Sequence, residues 1–282
     1  MIIFSGDEKT AYRDPACFYH SGTYYLFFSY SEKDSVYMYN RIGLSTSKDL
    51  KNWSVPRLIT EKDNRLNYCS PGNIIEHNGK FILCFTSYPM PFSYNEYPYA
   101  DDTARLFTMS TENFETFSEP MLLNPKGNTP REELGRMIDP FIVEHNGYYL
   151  FFKQNNRVAF SFSEDMKIWK YIGETEGGEN ACILKRDNEF ILIHSPANGI
   201  GFAKSKDLIT WENIGHTTLN QANWNWAEGR LTAAFAMEAP NDVGYKYIIF
   251  FHGSKDTYPE THGNATLALA YTNDFSEFYY NE

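Results

Sequence analysis

The chain lacks the features that would direct it to a membrane or to nucleic acid. No apolar run approaches the roughly 18–20 residues that a membrane-spanning helix needs. Acidic residues outnumber basic ones, 36 to 25, which gives a net charge of −11. Because nucleic acids and anionic lipid surfaces are bound through basic patches, neither is expected as a partner.

The N-terminus has little resemblance to a signal peptide. Its first residues, Met1-Ile2-Ile3-Phe4-Ser5, have neither a charged start nor a long apolar stretch. A cytoplasmic location is therefore expected, or a periplasmic or secreted one if such a peptide has been removed.

Cysteine is scarce, and its spacing argues against the common zinc and redox motifs. The four cysteines form no Cys-x-x-Cys pair, and no Cys/His cluster has zinc spacing. They are expected to be small, buried core residues of a protein in a reducing compartment, namely Cys17, Cys69, Cys84 and Cys182. The residues themselves predict no cofactor.

Helical periodicity is almost absent, whereas aromatic residues are abundant at 17%, with 21 Tyr and 22 Phe. Aromatic side chains suit pleated, half-buried surfaces, so this composition favours β structure. The most informative pattern is a repeated Asp-Pro. Asp14-Pro15 and Asp139-Pro140 each open an apolar strand that leads through a Gly-containing turn into an aromatic strand.

Five related units can be followed along the chain. Each holds an inner strand, a turn, an aromatic second strand, a third strand and a tail related to Ser-x-Ser-x-Asp-Leu-x-x-Trp. The inner strands are predicted to start at Asp14, Ser70, Asp139, Glu179 and Arg230. Four tail residues are predicted to hold turns by side-chain hydrogen bonds: Asp49, Asp165, Asp207 and Asp274.

Repeated four-stranded units with almost no helix predict an all-β fold, a five-bladed β-propeller with four antiparallel strands per blade. Residues 1–282 are expected to form a single propeller domain. A β-sandwich of several hairpins is the alternative, but it does not explain the recurring tail.

The predicted propeller brings distant carboxylates together. Inner strands line the central channel, so their starting residues gather at one mouth. Asp14, Asp139 and Glu179 would then share a cavity and shift one another's pKa values, because like charges resist joint ionisation. One site can in this way hold an ionised base and a protonated acid at neutral pH.

With these motifs, the whole chain resembles the five-bladed propeller glycosidases of glycoside hydrolase family 43 and its relatives. The resemblance implies a catalytic domain that cleaves glycosidic bonds of oligo- or polysaccharides, with a carbohydrate substrate and an inverting mechanism. It implies that Asp14 is the general base, Asp139 the carboxylate that tunes the acid, and Glu179 the general acid.

Two details depart from the family pattern or rest on it alone. Asn180-Ala181 follows Glu179, where relatives have Gly-Pro, so Glu176 is the main rival for the acid and Glu174 a weaker one. Some relatives hold calcium in the axial channel near a blade-five histidine, to which His252 corresponds.

Polar residues that interrupt the strands near the predicted mouth are candidates for sugar binding. This set comprises Arg13, Ser70, Lys153, Gln154, His194, Asn198, Trp226, Arg230 and His252. Trp224, Tyr88 and Phe92 are further candidates for stacking on sugar rings, and Arg136 for a subsite. The Pro- and aromatic-rich segment 88–105 and the segment 124–137 are expected to wall the pocket.

Two other functions remain open. A glycoside phosphorylase would need a basic phosphate pocket, which Arg13, Arg136, Lys153 and Arg230 could form. A non-catalytic sugar-binding propeller would keep the carboxylates without using them.

Overall fold

The structure is a computed structural model that describes residues 1–63, 66–88, 92–93, 103–256 and 264–280. Within these ranges the regular structure is β-strand, apart from 3₁₀ turns at Arg131–Glu133 and Gln221–Asn223. No helix in the described part of the chain is long and apolar enough to cross a bilayer.

The strands form five antiparallel sheets of at least four strands, the predicted blades. Blades one and two run, from the axis outward, as follows: β2 (Thr10–His20), β3 (Thr23–Lys33), β4 (Tyr37–Ser47) and β5 (Arg57–Leu58); then the split inner strand β6 (Asn67–Cys69) and β7 (Ile74–His77), β8 (Lys80–Tyr88), β10 (Arg105–Thr111) and β11 (Met121–Leu122). The short strand β9 (Phe92–Ser93) pairs with β4.

Blades three and four are regular four-stranded meanders. Their strands are β12 (Ile138–Glu144), β13 (Tyr148–Gln154), β14 (Arg157–Ser163) and β15 (Lys170–Glu176), and then β16 (Glu179–Arg186), β17 (Glu189–Ser195), β18 (Ile200–Ser205) and β19 (Glu212–Thr217).

Blade five is assembled from both ends of the sequence. Its inner three strands are β20 (Arg230–Glu238), β21 (Tyr247–Ser254) and β22 (Thr266–Thr272). Both β1 (Ile2–Phe4) and β23 (Phe278–Tyr279) pair with β22, with Ile2 opposite Ala268 and Tyr279 opposite Tyr271. The inner strands of neighbouring blades contact one another in a closed circuit, β2–β7–β12–β16–β20–β2. The predicted five-bladed propeller is confirmed.

The interior is built from the aromatic second strands. Phe27, Phe85, Phe151 and Phe250 are fully buried at the middle of their blades. The four cysteines are buried free thiols, as predicted. The consecutive large apolar residues of these strands pack against neighbouring sheets face to face.

The tails hold their turns as predicted. The Asp49 carboxylate accepts the backbone N–H groups of Lys51 and Asn52, and Asp165, Asp207 and Asp274 accept equivalent bonds in their own blades. In two blades the tail Trp donates its indole N–H to the carbonyl of a leucine three residues earlier, Trp53 to Leu50 and Trp211 to Leu208.

Each inner strand contains a bulge at the axis. The residue that opens the bulge has a left-handed backbone with φ between 47° and 56°, and these five residues are Asp14, Ser70, Asp139, Asn180 and Ala233. In four blades the register shifts at this point, so that two inner residues face one residue of the second strand. Bulges re-aim side chains beside functional sites, and here they turn five chain positions toward one centre.

Strands β16 and β20 begin at Glu179 and Arg230 as predicted, but the bulges show that neither residue is equivalent to Asp14 and Asp139. Asn180, not Glu179, is equivalent to Asp14 and Asp139, and Ala233, not Arg230, is the equivalent in blade five. Proline marks the bulge in the first three blades, whereas Ala181 and Ala234 follow it in the last two. Because no proline marks the bulge in these two blades, the spacing of residues did not show which residue opens it.

Candidate active site

A pocket opens at the mouth of the axis and contains the three predicted carboxylates. It is lined by Arg13, Asp14, Asn40, Cys69, Ser70, Tyr88, Ile138, Asp139, Glu179, Asn180, Arg230, Thr232 and His252. All five blades contribute to this lining. Residues as far apart in sequence as Arg13 and His252 therefore share one surface because the bulges point inward.

Asp14 lies in the bulge of blade one and is held as a carboxylate. Ser29 donates its hydroxyl to Oδ2 at 2.7 Å, and the Ser70 hydroxyl lies 3.4 Å from the same oxygen. Arg13 Nη2 lies 4.0 Å from Oδ1. Burial alone would raise the pKa of Asp14, but Arg13 and the two hydroxyls outweigh it and lower the pKa below its ordinary value.

His252 supports the backbone of Asp14 as a neutral ring. Its Nδ1 accepts the Asp14 N–H at 3.1 Å, which places the ring proton on Nε2. Burial lowers the pKa of His252 to about 3, and the positive charges of Arg13 and Arg230 act in the same direction against the attraction of Asp14. The ring is therefore uncharged across the neutral range.

Asp139 lies in the bulge of blade three and is almost entirely buried, at 5% exposure. Its Oδ2 accepts the backbone N–H of Asn180 at 3.1 Å. Burial raises the pKa of Asp139 to about 7, and the negative charges of Glu179 and Asp14 add to that rise. Near neutrality Asp139 is thus a partly protonated carboxyl beside an ionised Asp14.

Glu179 is the most accessible of the three carboxylates, with 33% of its side chain exposed. Lys153 Nζ lies 3.8 Å from its Oε1. The preceding Gly178 donates its N–H to His194 Nδ1 at 2.9 Å, and a Cβ there would lie 1.7 Å from the Ser195 carbonyl oxygen. Only glycine fits this approach, so the backbone before Glu179 is tightly located.

The two rival glutamates lie away from the pocket. Glu174 and Glu176 are exposed residues of β15, the outermost strand of blade three, and neither lines the cavity. Glu174 is paired with Arg157 Nε at 2.7 Å.

Four predicted sugar-binding residues have other positions. Gln154 donates to the Leu134 carbonyl, Asn198 accepts the Leu231 N–H, and His194 accepts the Gly178 N–H, so each braces a loop or strand. Trp226 stacks on Trp224 with ring centroids 5.4 Å apart, in a separate groove beside blade five. Arg13, Ser70, Arg230 and His252 do line the axial pocket, and Lys153 reaches it through Glu179.

The two segments expected to wall the pocket have different outcomes. Most of segment 88–105, and the side chain of Phe92, lie outside the described residues. Tyr88 is described, and its buried hydroxyl accepts a bond from Arg136 Nη2 at 2.9 Å. Segment 124–137 therefore reaches the pocket through Arg136, which positions Tyr88.

Several pocket residues were not singled out from the sequence. Ser29 and Thr86 support the bulges, Asn40 lines the pocket, and the buried Thr232 Oγ1 has no hydrogen-bond partner among the described residues. The sequence could have pointed to Ser29, Thr86 and Thr232, because each is a polar residue within an otherwise apolar strand.

His252 is the blade-five histidine that lines the axial pocket. Its Nδ1 is taken by the Asp14 N–H, and no group of three His, Cys, Asp or Glu side chains within the described ranges is arranged to hold a metal. The cavity on the inner side of the bulges is lined by Pro, Ala, Gly and apolar residues together with Asp14, Ser70, Asp139 and Asn180. Calcium favours six to eight oxygen ligands, and of the residues that line this cavity only these four carry side-chain oxygens.

Comparison with known proteins identifies a family and individual proteins to which this chain is similar. A sequence profile of glycosyl hydrolases family 43 matches residues 9–172. Over 168 residues the chain is 26% identical to sucrose-6-phosphate hydrolase of Klebsiella pneumoniae, a match that covers 56% of this chain and 34% of that protein. The matched stretch thus spans about a third of that relative's length.

Solved structures share the fold across nearly the whole chain. An exo-beta-1,3-galactanase from Clostridium thermocellum is 16% identical with a TM-score of 0.69, covering 99% of this chain and 64% of that one. An exo-1,5-alpha-L-arabinanase from a bovine ruminal metagenomic library is 14% identical with a TM-score of 0.66, covering 99% and 100%. At these identities the likeness establishes the fold and leaves the substrate open.

Proposed function

Because the chain belongs to glycosyl hydrolases family 43, and is thus a glycosidase acting on carbohydrate, we propose that it hydrolyses glycosidic bonds with inversion, using Asp14 as base and Glu179 as acid. The observation that carries this assignment is that Asp14, Asp139 and the more exposed Glu179 line one pocket. The pKa of Asp14 is lowered, while burial and two neighbouring carboxylates raise the pKa of Asp139 to about 7.

The base role follows from the surroundings of Asp14. A carboxylate that accepts hydroxyl bonds and lies beside Arg13 stays ionised over the working pH range. An ionised carboxylate on the side of the sugar opposite the acid can take a proton from water as the water attacks the anomeric carbon.

The acid role requires a carboxyl that both reaches the substrate and keeps a proton. Glu179 has the exposure that contact with a leaving oxygen needs, whereas Asp139 is buried behind it. Because two neighbouring carboxylates resist joint ionisation, Asp139 favours retention of a proton by the pair. In this proposal Glu179 delivers that proton to the departing oxygen and Asp139 tunes it.

Sugar hydroxyls would be held by the polar groups that remain at the mouth. Arg13, Arg230, Asn40 and Thr232 line the same pocket as the base and the acid. The match to a sucrose-6-phosphate hydrolase and the fold likeness to an exo-galactanase and an exo-arabinanase indicate the range of sugars to test as substrates. An exo-acting or side-chain-removing glycosidase fits a pocket that closes around the axis.

The test compares substitutions of equal chemistry. Chromogenic arabinosides, xylosides, galactosides and fucosides are screened with the wild type, then with Asp14→Asn, Glu179→Gln and the matched control Glu176→Gln. We expect losses of about 10²–10⁴-fold or more for the first two, since they remove acid–base groups. Glu176→Gln should retain full activity, because Glu176 lies on the outer strand.

Product analysis separates the mechanism from its alternatives. Proton NMR of the first product formed should show the anomer opposite to that of the substrate, and added phosphate should not be required. Unchanged activity in both Asp14→Asn and Glu179→Gln would remove the catalytic assignment. Retention of anomeric configuration would instead make Asp14 a nucleophile, and phosphate-dependent cleavage would identify a phosphorylase.

A further inference from the structure

The five bulges are held by a ring of hydrogen bonds between neighbouring blades. In four of them, the N–H of the bulge residue donates to a side chain from the second strand of the preceding blade. The four bonds run from Asp14 to His252 Nδ1 at 3.1 Å, Ser70 to Ser29 Oγ at 2.7 Å, Asp139 to Thr86 Oγ1 at 2.9 Å and Ala233 to Ser195 Oγ at 2.6 Å.

The accepting side chains occupy equivalent places in their blades. Each is the strand partner of the residue just before the bulge, opposite Thr232 for His252, Arg13 for Ser29, Cys69 for Thr86 and Glu179 for Ser195. The repeat therefore reserves this position for a hydrogen-bond acceptor.

Lys153 is the fifth member of the set, paired with Ile138, and it breaks the rule. An ammonium group has three donors and no acceptor, so it cannot receive the Asn180 N–H. That N–H instead donates to Asp139 Oδ2 at 3.1 Å, and Lys153 Nζ lies 3.8 Å from Glu179 Oε1. One side-chain change has thus redirected two contacts toward the proposed acid pair.

Lys153 is buried, and burying its ammonium group costs free energy unless an opposite charge is close by. The residue is 8% exposed and follows the fully buried Phe152. A buried cation is tolerated only where it is paired with an opposite charge. Here the pairing group is Glu179, and the simpler bond that the other blades make is replaced by the bond from Asn180 to Asp139.

We propose that Lys153 is a positioning residue for the acid, which holds the Glu179 carboxylate at the pocket mouth and leaves the Asn180 N–H to Asp139. This inference rests on the proposed roles of Glu179 and Asp139. It deepens them by identifying the group that aims the acid and balances the negative charge of the pair.

The charge of Lys153 has a predictable effect on the pH profile. A positive charge beside the pair favours its ionised form, as does the N–H bond to Asp139. Arg136 and Asp139 also interact with the charge of Glu179, and Asp14 and Arg136 act on Asp139; all three stay in place in the Lys153 variants. His194 does not interfere, since burial, helped by His216 and Lys153, lowers its pKa to about 4.

Three variants separate charge from hydrogen bonding. Lys153→Arg keeps the charge, Lys153→Met removes it at similar size, and Lys153→Thr installs the residue that Thr86 occupies in blade two and can accept the Asn180 N–H. The matched control is Lys204→Met, which removes the exposed pair with Glu212 in blade four.

The readouts are kcat and KM against pH on aryl glycosides with good and poor leaving groups. Lys153→Met and Lys153→Thr should lower kcat at least tenfold on the poor leaving group, with little change in KM, and far less on the good one. The alkaline limb should move up by about one pH unit or more. Lys153→Arg should restore the limb, and Lys204→Met should match wild type.

A second measurement does not depend on turnover. Carboxyl ¹³C NMR, with the pair's signals identified by their loss in Asp139→Asn and Glu179→Gln, should show the pair titrating at higher pH in Lys153→Met and Lys153→Thr. Wild-type titration in both variants would overturn the inference even if Glu179→Gln is inactive. A shifted titration in a protein where Glu179→Gln stays active would instead uphold the contact and refute the proposed function.

Discussion

Ser29 offers the sharpest test of how the pocket keeps Asp14 ionised. The hydroxyl is fully buried, donates to Asp14 Oδ2 at 2.7 Å and accepts the Ser70 N–H at 2.7 Å. Ser29→Ala removes both bonds and adds no bulk. The perturbation therefore acts on the charge state of Asp14 without altering any carboxylate.

The expected shift can be worked from the bond that is lost. A hydrogen bond to a charged group contributes about 1.5–3 kcal/mol, and each pKa unit corresponds to about 1.36 kcal/mol. The pKa of Asp14 should rise by about one unit or more in Ser29→Ala. Because a base must be ionised, the acidic limb of the kcat/KM profile should move to higher pH by the same amount.

Stability should change in step with that shift. The pKa of Asp14 is lowered in the folded protein, so its ionisation stabilises the fold above the unfolded value near 3.9 and this is lost as pH falls. Ser29→Ala should therefore lose about 1–3 kcal/mol of unfolding free energy at pH 7 and less at pH 3. Urea denaturation at the two pH values measures the difference.

Ser161→Ala is the matched control, because Ser161 is equally buried and its hydroxyl has no hydrogen-bond partner in the described part of the chain. It should leave the pH profile and the pH dependence of stability unchanged. An acidic limb that stays in place in Ser29→Ala, or that moves equally in Ser161→Ala, would refute the account of Asp14.

Two further predictions concern the axis. Gly72→Ala should lower stability by about 3 kcal/mol or more in thermal unfolding, because its Cβ would lie 1.4 Å from the Pro140 carbonyl oxygen, whereas Gly173→Ala, with 3.7 Å to the nearest ring atom, should be tolerated. Asp139→Asn should stabilise the fold at pH 8 by on the order of 3 kcal/mol and progressively less toward pH 4, because the raised pKa of Asp139 penalises the fold only where the unfolded carboxyl ionises; equal stability of both proteins at pH 8 would contradict the shift.

The parts of the site that the sequence predicted are those that proline marks. Asp14 and Asp139 precede Pro15 and Pro140 at equivalent points of the repeat, and the structure brings both to the axial pocket. Glu179 reaches the same pocket, although it stands one position before the bulge. Its inclusion shows that a side chain beside a bulge can face the same cavity as one within it.

What the sequence could not supply was the direction of individual side chains. Asn198 and Gln154 are polar residues near strand ends, as sugar ligands often are, yet their amides bond backbone groups of strand β20 and of the loop at Leu134. Trp226 is drawn into a cluster with Trp224 and Phe251. Which partner a polar or aromatic side chain selects depends on the packing of distant blades, which local spacing does not encode.

Blade five pairs β1 with β22, so this blade cannot be completed until β22 has been synthesised. Ile2 finds its strand partner in Ala268, and the Met1 amino group donates to the Leu269 carbonyl at 2.9 Å. A ribosome adds about 5–20 residues per second, so β1 would stay unpaired for roughly tens of seconds before β22 emerges. Until then the nascent chain carries unpaired β edges, which invite association with other chains, so its yield in a cell should depend on how well chaperones shield it.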